Sequence, residues 1–238
     1  MQIKIIKCLQ DNYSYLIIDS NNNACVVDPS ESDPVINYLE ENKISLKFIL
    51  NTHHHYDHVG GNKVLKKKYN AKVLGYISDK ERIPEIDIFL KNKEIWNTDA
   101  FKFQIFHIPG HTSGHICYYF KDEKFLFTGD TLFSLGCGRI FEGTYEQMFS
   151  SLQLFKSFPK DTKIFCGHEY TLKNSEFCKK YDPKNEKLDT RILKIKNMLS
   201  KGLPTIPTTI EDELDCNIFL RSGDLETFSK LRDLKDNF

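Results

Sequence analysis

Short β-rich apolar runs and segments of helical spacing succeed one another along the first 165 residues. Apolar positions three and four apart predict helices, whereas short runs bounded by turn formers predict strands. Gln10, Asp11 and Asn12 separate the first two runs, so a hairpin is expected there. The predicted strands are 2–8, 13–18, 24–27, 46–50, 72–74, 101–108, 115–120, 124–128 and 163–166, and the predicted helices among them are 33–42, 60–69 and 145–155.

Strands give way to helices beyond residue 165. A lysine-rich amphipathic helix is predicted at 186–200 and a second charged helix at 224–236, with the proline-marked loop 203–207 after the first of them. This order predicts an α/β sandwich over residues 1–165 followed by a helical extension over residues 166–238.

Composition and charge narrow the class of protein. A chain of 238 residues with 40% hydrophobic and 28% charged residues is ordinary for a globular protein, which excludes a disordered or collagen-like chain. Lys plus Arg and Asp plus Glu both total 33, so no net charge favours nucleic acid or an anionic membrane as a partner. The N-terminus lacks the zones of a signal peptide, and no apolar stretch approaches the roughly 20 residues of a membrane span. We therefore expect a cytoplasmic monomer, with its seven scattered cysteines as small buried hydrophobes.

Four of the eight histidines lie between positions 53 and 58, directly after the apolar strand at 46–50. Polar groups at the carboxyl end of a strand commonly form active-site loops. His53 and His55 point to the same side of an extended segment, while Asp57 and His58 turn over as the chain enters the next helix. Imidazoles together with a carboxylate indicate a hydrolytic or dinuclear metal site rather than a structural sulfur site.

Three further donors, His111, Asp130 and His168, each follow a glycine at the end of a predicted strand. Glycine lets the backbone turn tightly and bring the next side chain into a crowded site. The total of five histidines and two aspartates is too large for one tetrahedral ion and suits two, so one carboxylate must bridge them. The other three histidines are expected to be structural: His54, His107 and His115.

These motifs resemble those of the metallo-β-lactamase superfamily and, within it, closely those of the glyoxalase II (hydroxyacylglutathione hydrolase) family. The resemblance spans nearly the whole chain. It rests on the segments 9–13, 52–58, 60–62, 109–115, 129–133, 136–139, 141–144, 166–170 and 235–238.

The resemblance implies an αββα sandwich with a small C-terminal helical domain and a binuclear metal centre. Zinc is the first choice, with iron or manganese as alternatives, since imidazole and carboxylate accept several divalent ions. Carried over position by position, His53, His55 and His111 hold one ion, Asp57, His58 and His168 hold the other, and Asp130 bridges them.

The implied reaction is the hydrolysis of S-D-lactoylglutathione to glutathione and D-lactate, the second step of methylglyoxal detoxification. A hydroxide bridged by the two metals is the implied nucleophile. A thiolate, whose parent thiol has a pKa near 8.5, leaves readily, so no dedicated general acid is required. Asp57 is expected to act both as a ligand and as the group that orients the nucleophile, and Asp130 to act through its bridge.

Glutathione carries two carboxylates, and four residues stand where the family contacts it: Arg139, Tyr170, Arg232 and Lys235. Arg232 and Lys235 are three apart, so they share one helical face and are expected to reach a single carboxylate together. Two positions depart from the animal members of the family. Arg139 replaces a lysine, and Phe141 replaces a tyrosine, which removes one hydroxyl from the substrate site.

The sequence leaves several other functions open. Within the superfamily they are a β-lactamase, a lactonase or a nuclease, and outside hydrolysis a mono-iron glutathione-persulfide dioxygenase, which shares the first histidine motif. The helix with Arg232 and Lys235 favours the thioester hydrolase. A non-catalytic zinc scaffold is disfavoured because a structural zinc site needs four ligands and gains nothing from a bridging carboxylate.

Overall fold

A six-stranded mixed sheet organises the first unit of the chain, which comprises Met1–His107 and Gly114–Glu123. The structure is a computed structural model that describes residues 1–98 and 100–238. The first three strands are antiparallel, and the third to the sixth run parallel to one another. In sheet order the strands are β1 (Gln2–Cys8), β2 (Asn12–Ile18), β3 (Asn23–Val27), β4 (Ser45–Leu50), β5 (Lys72–Tyr76) and β6 (Ile88–Leu90).

Helices connect the parallel strands of this unit. In α1 (Asp33–Glu41), Val35 and Leu39 are four apart and fully buried against the sheet, the packing that the spacing predicts. After the single turn of α2 (Tyr56–Val59), α3 (Asn62–Tyr69) buries Leu65 in the same core and ends at Asn70. Asn70 has a left-handed backbone with φ 53°, which is a common helix C-terminus. A 3₁₀ turn, Ile77–Asp79, follows β5.

Three further strands of the first unit form an antiparallel ladder. They are β7 (Ile95–Asn97), β8 (Lys102–His107) and β9 (Ile116–Phe120). Phe103 on β8 packs edge-on against the ring of Tyr118 on β9, with 5.4 Å between centroids. The Tyr118 hydroxyl donates to Asn51 O at 2.8 Å, so it fixes the start of residues 51–58, which are called the histidine segment.

The second unit, Ile108–Ser113 and Lys124–Phe238, begins with strands and continues as helices. β10 (Phe125–Gly129) pairs in parallel with β13 (Lys163–Cys166), which pairs in turn with β14 (Thr208–Thr209). A two-residue turn joins β11 (Leu132–Phe133) to β12 (Gly136–Cys137). The helices are α4 (Tyr145–Phe155), α5 (Thr171–Tyr181), α6 (Glu186–Ser200), α7 (Ile210–Cys216), α8 (Ile218–Arg221) and α9 (Leu225–Asp236).

Caps and an aromatic cluster fix these helices. Thr144 and Gln147 form a reciprocal capping box at the start of α4. Asn185, Thr209 and Asp224 each accept a backbone N–H at the start of α6, α7 and α9. The cluster consists of the buried rings of Phe177, Phe219 and Phe228, which come from α5, α8 and α9.

Every predicted strand and helix is confirmed with its ends shifted by at most two residues. The elements that escaped prediction are the helices α2, α5, α7 and α8 and the two- or three-residue strands β6, β7, β11, β12 and β14. α5 lacks a clear apolar stripe because Thr171, Asn174 and Ser175 are among the residues that it buries. Each of the seven cysteines is buried, as predicted. Over residues 1–98 and 100–238, every helix is too short or too polar to cross a bilayer.

Candidate metal centre

Two neighbouring parallel strands of the first unit end side by side, and each delivers polar groups there. Val27 on β3 is in register with Leu50 on β4. The N–H of Asp28 donates to Leu50 O at 3.0 Å, so Asp28 lies beside the start of the histidine segment. Asp28 has a left-handed backbone, φ 47°, and its side chain is buried. The edge of the sheet thus sets a carboxylate next to the imidazoles.

The Asp28 carboxylate accepts three hydrogen bonds from the histidine segment. Oδ1 accepts the N–H of Thr52 at 2.8 Å, and Oδ2 accepts the Thr52 hydroxyl at 2.6 Å and His58 Nδ1 at 3.0 Å. Because the Thr52 hydroxyl gives its proton to Asp28, it accepts from His53 Nδ1, 3.0 Å away. Both His53 and His58 therefore carry the proton on Nδ1, and each keeps a lone pair on Nε2 for a ligand.

His53 and His55 present their ring nitrogens to each other. His53 Nε2 lies 3.1 Å from His55 Nδ1. Two nitrogens that bind one tetrahedral zinc at 2.0–2.1 Å stand about 3.3 Å apart, so this spacing fits a shared ion. The side chain of His53 is fully buried, which keeps competing water from one of the two donors.

Asp57 and His58 form a second pair of donors at the start of α2. Asp57 Oδ2 lies 3.7 Å from His58 Nε2. The amide of Asn12, at the start of β2, donates to both Asp57 Oδ2 and Asp57 O at 3.0 Å. The first hairpin therefore orients this carboxylate. Asp28, His53 and His58 also offer donor atoms that all lie within 4.8 Å of one another. Because Asp28 already accepts the N–H and hydroxyl of Thr52 and Nδ1–H of His58, we assign it to orientation.

The three histidines predicted to be structural have contacts that need no metal. His54 Nδ1 lies 3.4 Å from the buried carboxylate of Asp79. His115 stacks on the ring of His53 with 4.6 Å between centroids, and His107 stacks in the same way on Tyr76. These contacts fit the structural role.

The second unit gathers its own three donors around Asp130. β10 and β13 end in register, and the N–H of Gly167 donates to Gly129 O at 2.9 Å, so the side chains of Asp130 and His168 emerge at one edge. Gly129 has a left-handed backbone with φ 47°, which glycine adopts without steric cost. Asp130 Oδ2 lies 3.2 Å from His168 Nε2 and 3.5 Å from His111 Nε2. A carboxylate between two imidazoles is the arrangement that a bridging ligand needs.

The backbone around Arg139 fixes the ring of His111. Nδ1 of His111 donates to Arg139 O at 2.8 Å, which leaves the lone pair on Nε2, the nitrogen that faces Asp130. Gly138 allows this approach, because a Cβ there would lie 1.9 Å from Asp130 O and 3.2 Å from His111 Nδ1.

Tyr170 and Arg139, two of the predicted substrate residues, have exposed side chains. The Tyr170 ring stacks on His168 with 4.7 Å between centroids and is 36% exposed. The side chain of Arg139 is 57% exposed, and its Nε lies 3.4 Å from Asp236 Oδ1. Beside them, the Phe141 ring contacts His111 and is 61% exposed. All three can meet a ligand from solvent.

Arg232, in contrast, is buried and largely engaged with the protein. It is 4% exposed, and Nη1 donates to Cys137 O at 2.8 Å while Nη2 donates to Asp236 at 2.9 Å. Its Nε makes no hydrogen bond among the described residues.

Cys137, which contacts Arg232, has a buried thiol. Burial raises the pKa of the Cys137 thiol, although Arg232 opposes the rise. A buried, protonated thiol fits the expectation that the cysteines are small buried hydrophobes.

Lys235 carries a desolvated ammonium group. Within the part of the chain that the structure describes, its Nζ is buried without a hydrogen-bond partner. It lies 5.0 Å from the ring centroid of Phe177 and 5.1 Å from that of Phe238. Burial, with the nearby charges of Arg232 and Lys173, lowers the pKa of Lys235 to about 8. A desolvated cation of this kind favours an incoming anion.

The donors in both units suit divalent ions of intermediate softness. They are carboxylates and neutral imidazoles, and most of the imidazoles have Nδ1 hydrogen-bonded to an acceptor. No thiolate is among these donors.

The sequence motifs missed two orienting residues, Asp28 and Asn12, although Asn12 lies in a segment of the family pattern. Asp28 could have been recognised from its position directly after an apolar strand, because the proposed ligands also follow strands.

Comparisons with known proteins agree with the motifs. The model of the metallo-β-lactamase superfamily matches residues 10–93 and 99–168, and that of the hydroxyacylglutathione hydrolase C-terminus matches residues 169–238. A hydroxyacylglutathione hydrolase of Pelagibacter ubique (strain HTCC1062) is 65% identical over 239 residues and 100% of both chains. Another from Methylococcus capsulatus is 40% identical and covers 100% of this chain and 99% of its own.

Solved structures are similar at lower identity. The BLEG-1 B3 metallo-β-lactamase has a TM-score of 0.73 at 22% identity, covering 93% of this chain and 100% of its own. ETHE1 from Myxococcus xanthus has a TM-score of 0.74 at 23% identity, covering 98% of this chain and 90% of its own. Likeness at these identities concerns the fold alone.

Proposed function

The chain belongs to the metallo-β-lactamase superfamily and, within it, to the hydroxyacylglutathione hydrolases, and on this premise we propose how its residues hydrolyse a glutathione thioester. It has the fold class expected from the sequence, with mixed sheets, helices and a C-terminal helical region. The reaction is that of glyoxalase II, in which water splits an S-(2-hydroxyacyl)glutathione such as S-D-lactoylglutathione into glutathione and a 2-hydroxy acid.

The observation that carries the function is the match of residues 169–238 to the hydroxyacylglutathione hydrolase C-terminus. The superfamily fold alone is compatible with several reactions, including those of the alternatives left open above. The C-terminal segment carries Arg232 and Lys235, the residues that the family resemblance assigns to glutathione. We propose that residues 1–165 are the catalytic region and that residues 166–238 bind the substrate.

Two divalent ions, with zinc as first choice, are the cofactor that the donors support. The proposed ligands keep the sets implied by the family: His53, His55 and His111 for one ion, Asp57, His58 and His168 for the other, and Asp130 for both. Bound there, the ions would supply Lewis acidity to a water molecule and to the thioester oxygen. The Nδ1 hydrogen bonds of His53, His58 and His111 support the assignment, because they leave Nε2 as the donor in each ring.

Asp57 is proposed to orient the attacking water and to accept its proton. Its carboxylate is held by the Asn12 amide at 3.0 Å, so Oδ2 keeps a fixed direction beside His58. The side chain is 38% exposed, which leaves it open to solvent on one side. The departing thiolate needs no proton from the protein at neutral pH, since its conjugate acid has a pKa near 8.5.

Four side chains are proposed to bind the glutathione moiety, whose two carboxylates need cations. Lys235 carries the strongest support, because its Nζ is desolvated and has no hydrogen-bond acceptor among residues 1–98 and 100–238. Arg139 and Tyr170 are exposed beside the metal ligands His111 and His168. Arg232 would contribute through Nε, since its other nitrogens hold Cys137 O and Asp236.

That the protein is a monomer located in the cytoplasm remains a prediction from the sequence.

Release of free thiol from S-D-lactoylglutathione by the zinc-loaded full chain tests the function. We expect thiol release that stops after chelator treatment and returns with zinc. Oxygen uptake with glutathione persulfide, measured on iron-loaded protein, should stay at the background rate. Oxygen uptake without thiol release would replace the hydrolase by the dioxygenase, and metal binding without either reaction would leave only a binding protein.

A further inference from the structure

The β11–β12 hairpin has a strained turn whose backbone is held by side chains from the C-terminal helices. Leu135, in the turn, has a left-handed backbone with φ 59°, which is rare for a branched side chain. Such a conformation persists only where its surroundings impose it, and it is frequent near active sites. The contacts that impose it here come from α5 and from the region of α7.

Glu213 on α7 holds the strained residue directly. Its carboxylate is fully buried, and Oε2 accepts the N–H of Leu135 at 2.8 Å. Oε1 accepts the Thr208 hydroxyl at 2.7 Å and also pairs with the guanidinium of Arg191. Arg191 donates a further hydrogen bond to Ser134 Oγ at 3.0 Å. Arg191 and Thr208 thus hold the Glu213 carboxylate in place, and the carboxylate in turn holds the backbone of Leu135.

Two asparagines hold the carbonyls of the same hairpin. Asn174 on α5 donates to Ser134 O at 3.1 Å, and Asn217, after α7, donates to Gly136 O at 3.0 Å. The packing is close, since a Cβ at Gly136 would lie 2.5 Å from Asn174 Nδ2. Glu213, Asn174 and Asn217 are called the hairpin anchors below.

The hairpin leads directly to the groups that set the metal ligands of the second unit. Gly138, one residue after β12, donates to Thr131 O at 3.2 Å and packs against Asp130 O. The next residue, Arg139, offers the carbonyl that accepts Nδ1 of His111 at 2.8 Å. A displacement of the hairpin would therefore reach both the ring of His111 and the backbone of Asp130.

We propose that the hairpin anchors Glu213 and Asn174 are positioning residues for His111, acting through the backbone of residues 134–139. They touch neither metal nor substrate in this proposal. Their effect is to keep Arg139 O where it orients the imidazole, so their loss weakens a metal site rather than only the fold. The inference rests on the proposed ligand role of His111.

Two variants of the full chain, each with a matched control, test the proposal. Glu213→Gln removes the buried charge and one acceptor, and Glu211→Gln makes the same change at a side chain on α7 that is 61% exposed. Asn174→Ala removes the single hydrogen bond to Ser134 O, and Asn197→Ala makes the same change at an exposed position of α6. Circular dichroism and thermal unfolding show whether each variant folds.

The decisive readouts are made without substrate, so a failure of the proposed function would not obscure them. Zinc affinity is measured by competition with a chelating dye, and exchange of the His111 Nδ1 proton is measured by NMR on zinc-loaded protein. We expect zinc binding weaker by about 10- to 100-fold at one site, and faster proton exchange, in both anchor variants. In the hydrolase assay, kcat should fall by a similar factor while KM changes by less than about 3-fold.

The controls should match the parent protein in every readout. Parental zinc affinity and parental His111 exchange in a folded Glu213→Gln or Asn174→Ala protein would overturn the proposal. If Glu213→Gln does not fold because Arg191 loses its counter-charge, Asn174→Ala alone decides the question.

Discussion

The carboxylate of Asp28 accepts Nδ1–H of His58 across 30 positions of sequence, at 3.0 Å. Both residues are buried, and the same carboxylate also holds the backbone and the hydroxyl of Thr52. Since the Thr52 hydroxyl is the acceptor for His53 Nδ1, one aspartate controls the tautomer of two proposed ligands.

Replacing Asp28 with asparagine should weaken metal binding although Asp28 is not a proposed ligand. An amide offers one oxygen where three donors meet, so at least one of Thr52 N, Thr52 Oγ1 and His58 Nδ1 loses its acceptor. We expect Asp28→Asn to lower zinc affinity and kcat by about 10- to 100-fold, as for other residues that orient ligands. The control is Asp122→Asn, at a side chain 68% exposed on a turn. Unchanged zinc affinity in a folded variant would contradict the orienting role.

Asp57→Asn should abolish most of the turnover because it removes the proposed proton acceptor. General base catalysis contributes about 10²- to 10⁴-fold, and kcat should fall within that range in protein reloaded with zinc. Asn12→Ala should cause a smaller loss, about 10-fold, because it removes only the hydrogen bond that directs the carboxylate. Zinc content must be determined on the same samples. Full turnover of Asp57→Asn at normal zinc content would exclude this role for Asp57.

The proposed ligands could be suggested from the sequence because they lie in four segments that each follow a strand. His53, Asp130 and His168 stand within three residues of the end of a short apolar run, and that pattern is recognised from the local sequence alone. Asp28 has the same local signature, but its role depends on the parallel pairing of β3 with β4, which brings position 28 next to position 52. The local sequence around Asp28 does not indicate which strand pairs with β3.

The C-terminal helices show the opposite case. α5 buries Thr171, Asn174 and Ser175, so the hydrophobic pattern that predicts helices is weak there. Glu213 is an unremarkable acidic residue in sequence, and only the fold reveals that its carboxylate is fully buried against Leu135 N. Side chains that hold a strained backbone depend on tertiary contacts, and single-sequence patterns do not contain them.

Restoring a hydroxyl at position 141 should strengthen substrate binding. Phe141 stands where animal members of the resembled family have tyrosine, and its ring is 61% exposed beside His111. A hydrogen bond contributes about 0.5–1.5 kcal/mol net, so Phe141→Tyr should lower KM for S-D-lactoylglutathione by about 2- to 10-fold with kcat nearly unchanged. Phe89→Tyr, at an exposed ring on β6, is the control. An unchanged KM would show that the substrate does not reach this ring.

Titration of Lys235 should weaken substrate binding at alkaline pH. Its pKa is lowered to about 8 by burial and by the charge of Arg232, so the ammonium group loses its proton as the pH rises through that value. A neutral amine attracts the glutathione carboxylate less, and kcat/KM should fall above pH 8 while kcat at saturating substrate changes less. Lys235→Met should lower kcat/KM at pH 7 by about 10- to 100-fold, the size of a charge-assisted hydrogen bond, and remove the decline above pH 8.

The same lysine should lower the stability of the substrate-free protein at neutral pH. Since its folded pKa lies below the ordinary value of 10.5, the unfolded chain binds more protons between about pH 8 and 10.5, and stability rises with pH over that window. At pH 7 the charged group is desolvated and has no hydrogen-bond acceptor in the described part of the chain, so Lys235→Met should raise Tm by about 2–4 °C. Lys230→Met, at a side chain 69% exposed on the same helix, should leave both Tm and the pH profile unchanged. A Lys235→Met protein that is less stable than the parent would show that the ammonium group serves the fold. A variant that keeps the parental decline above pH 8 would show that Lys235 is not the group that titrates.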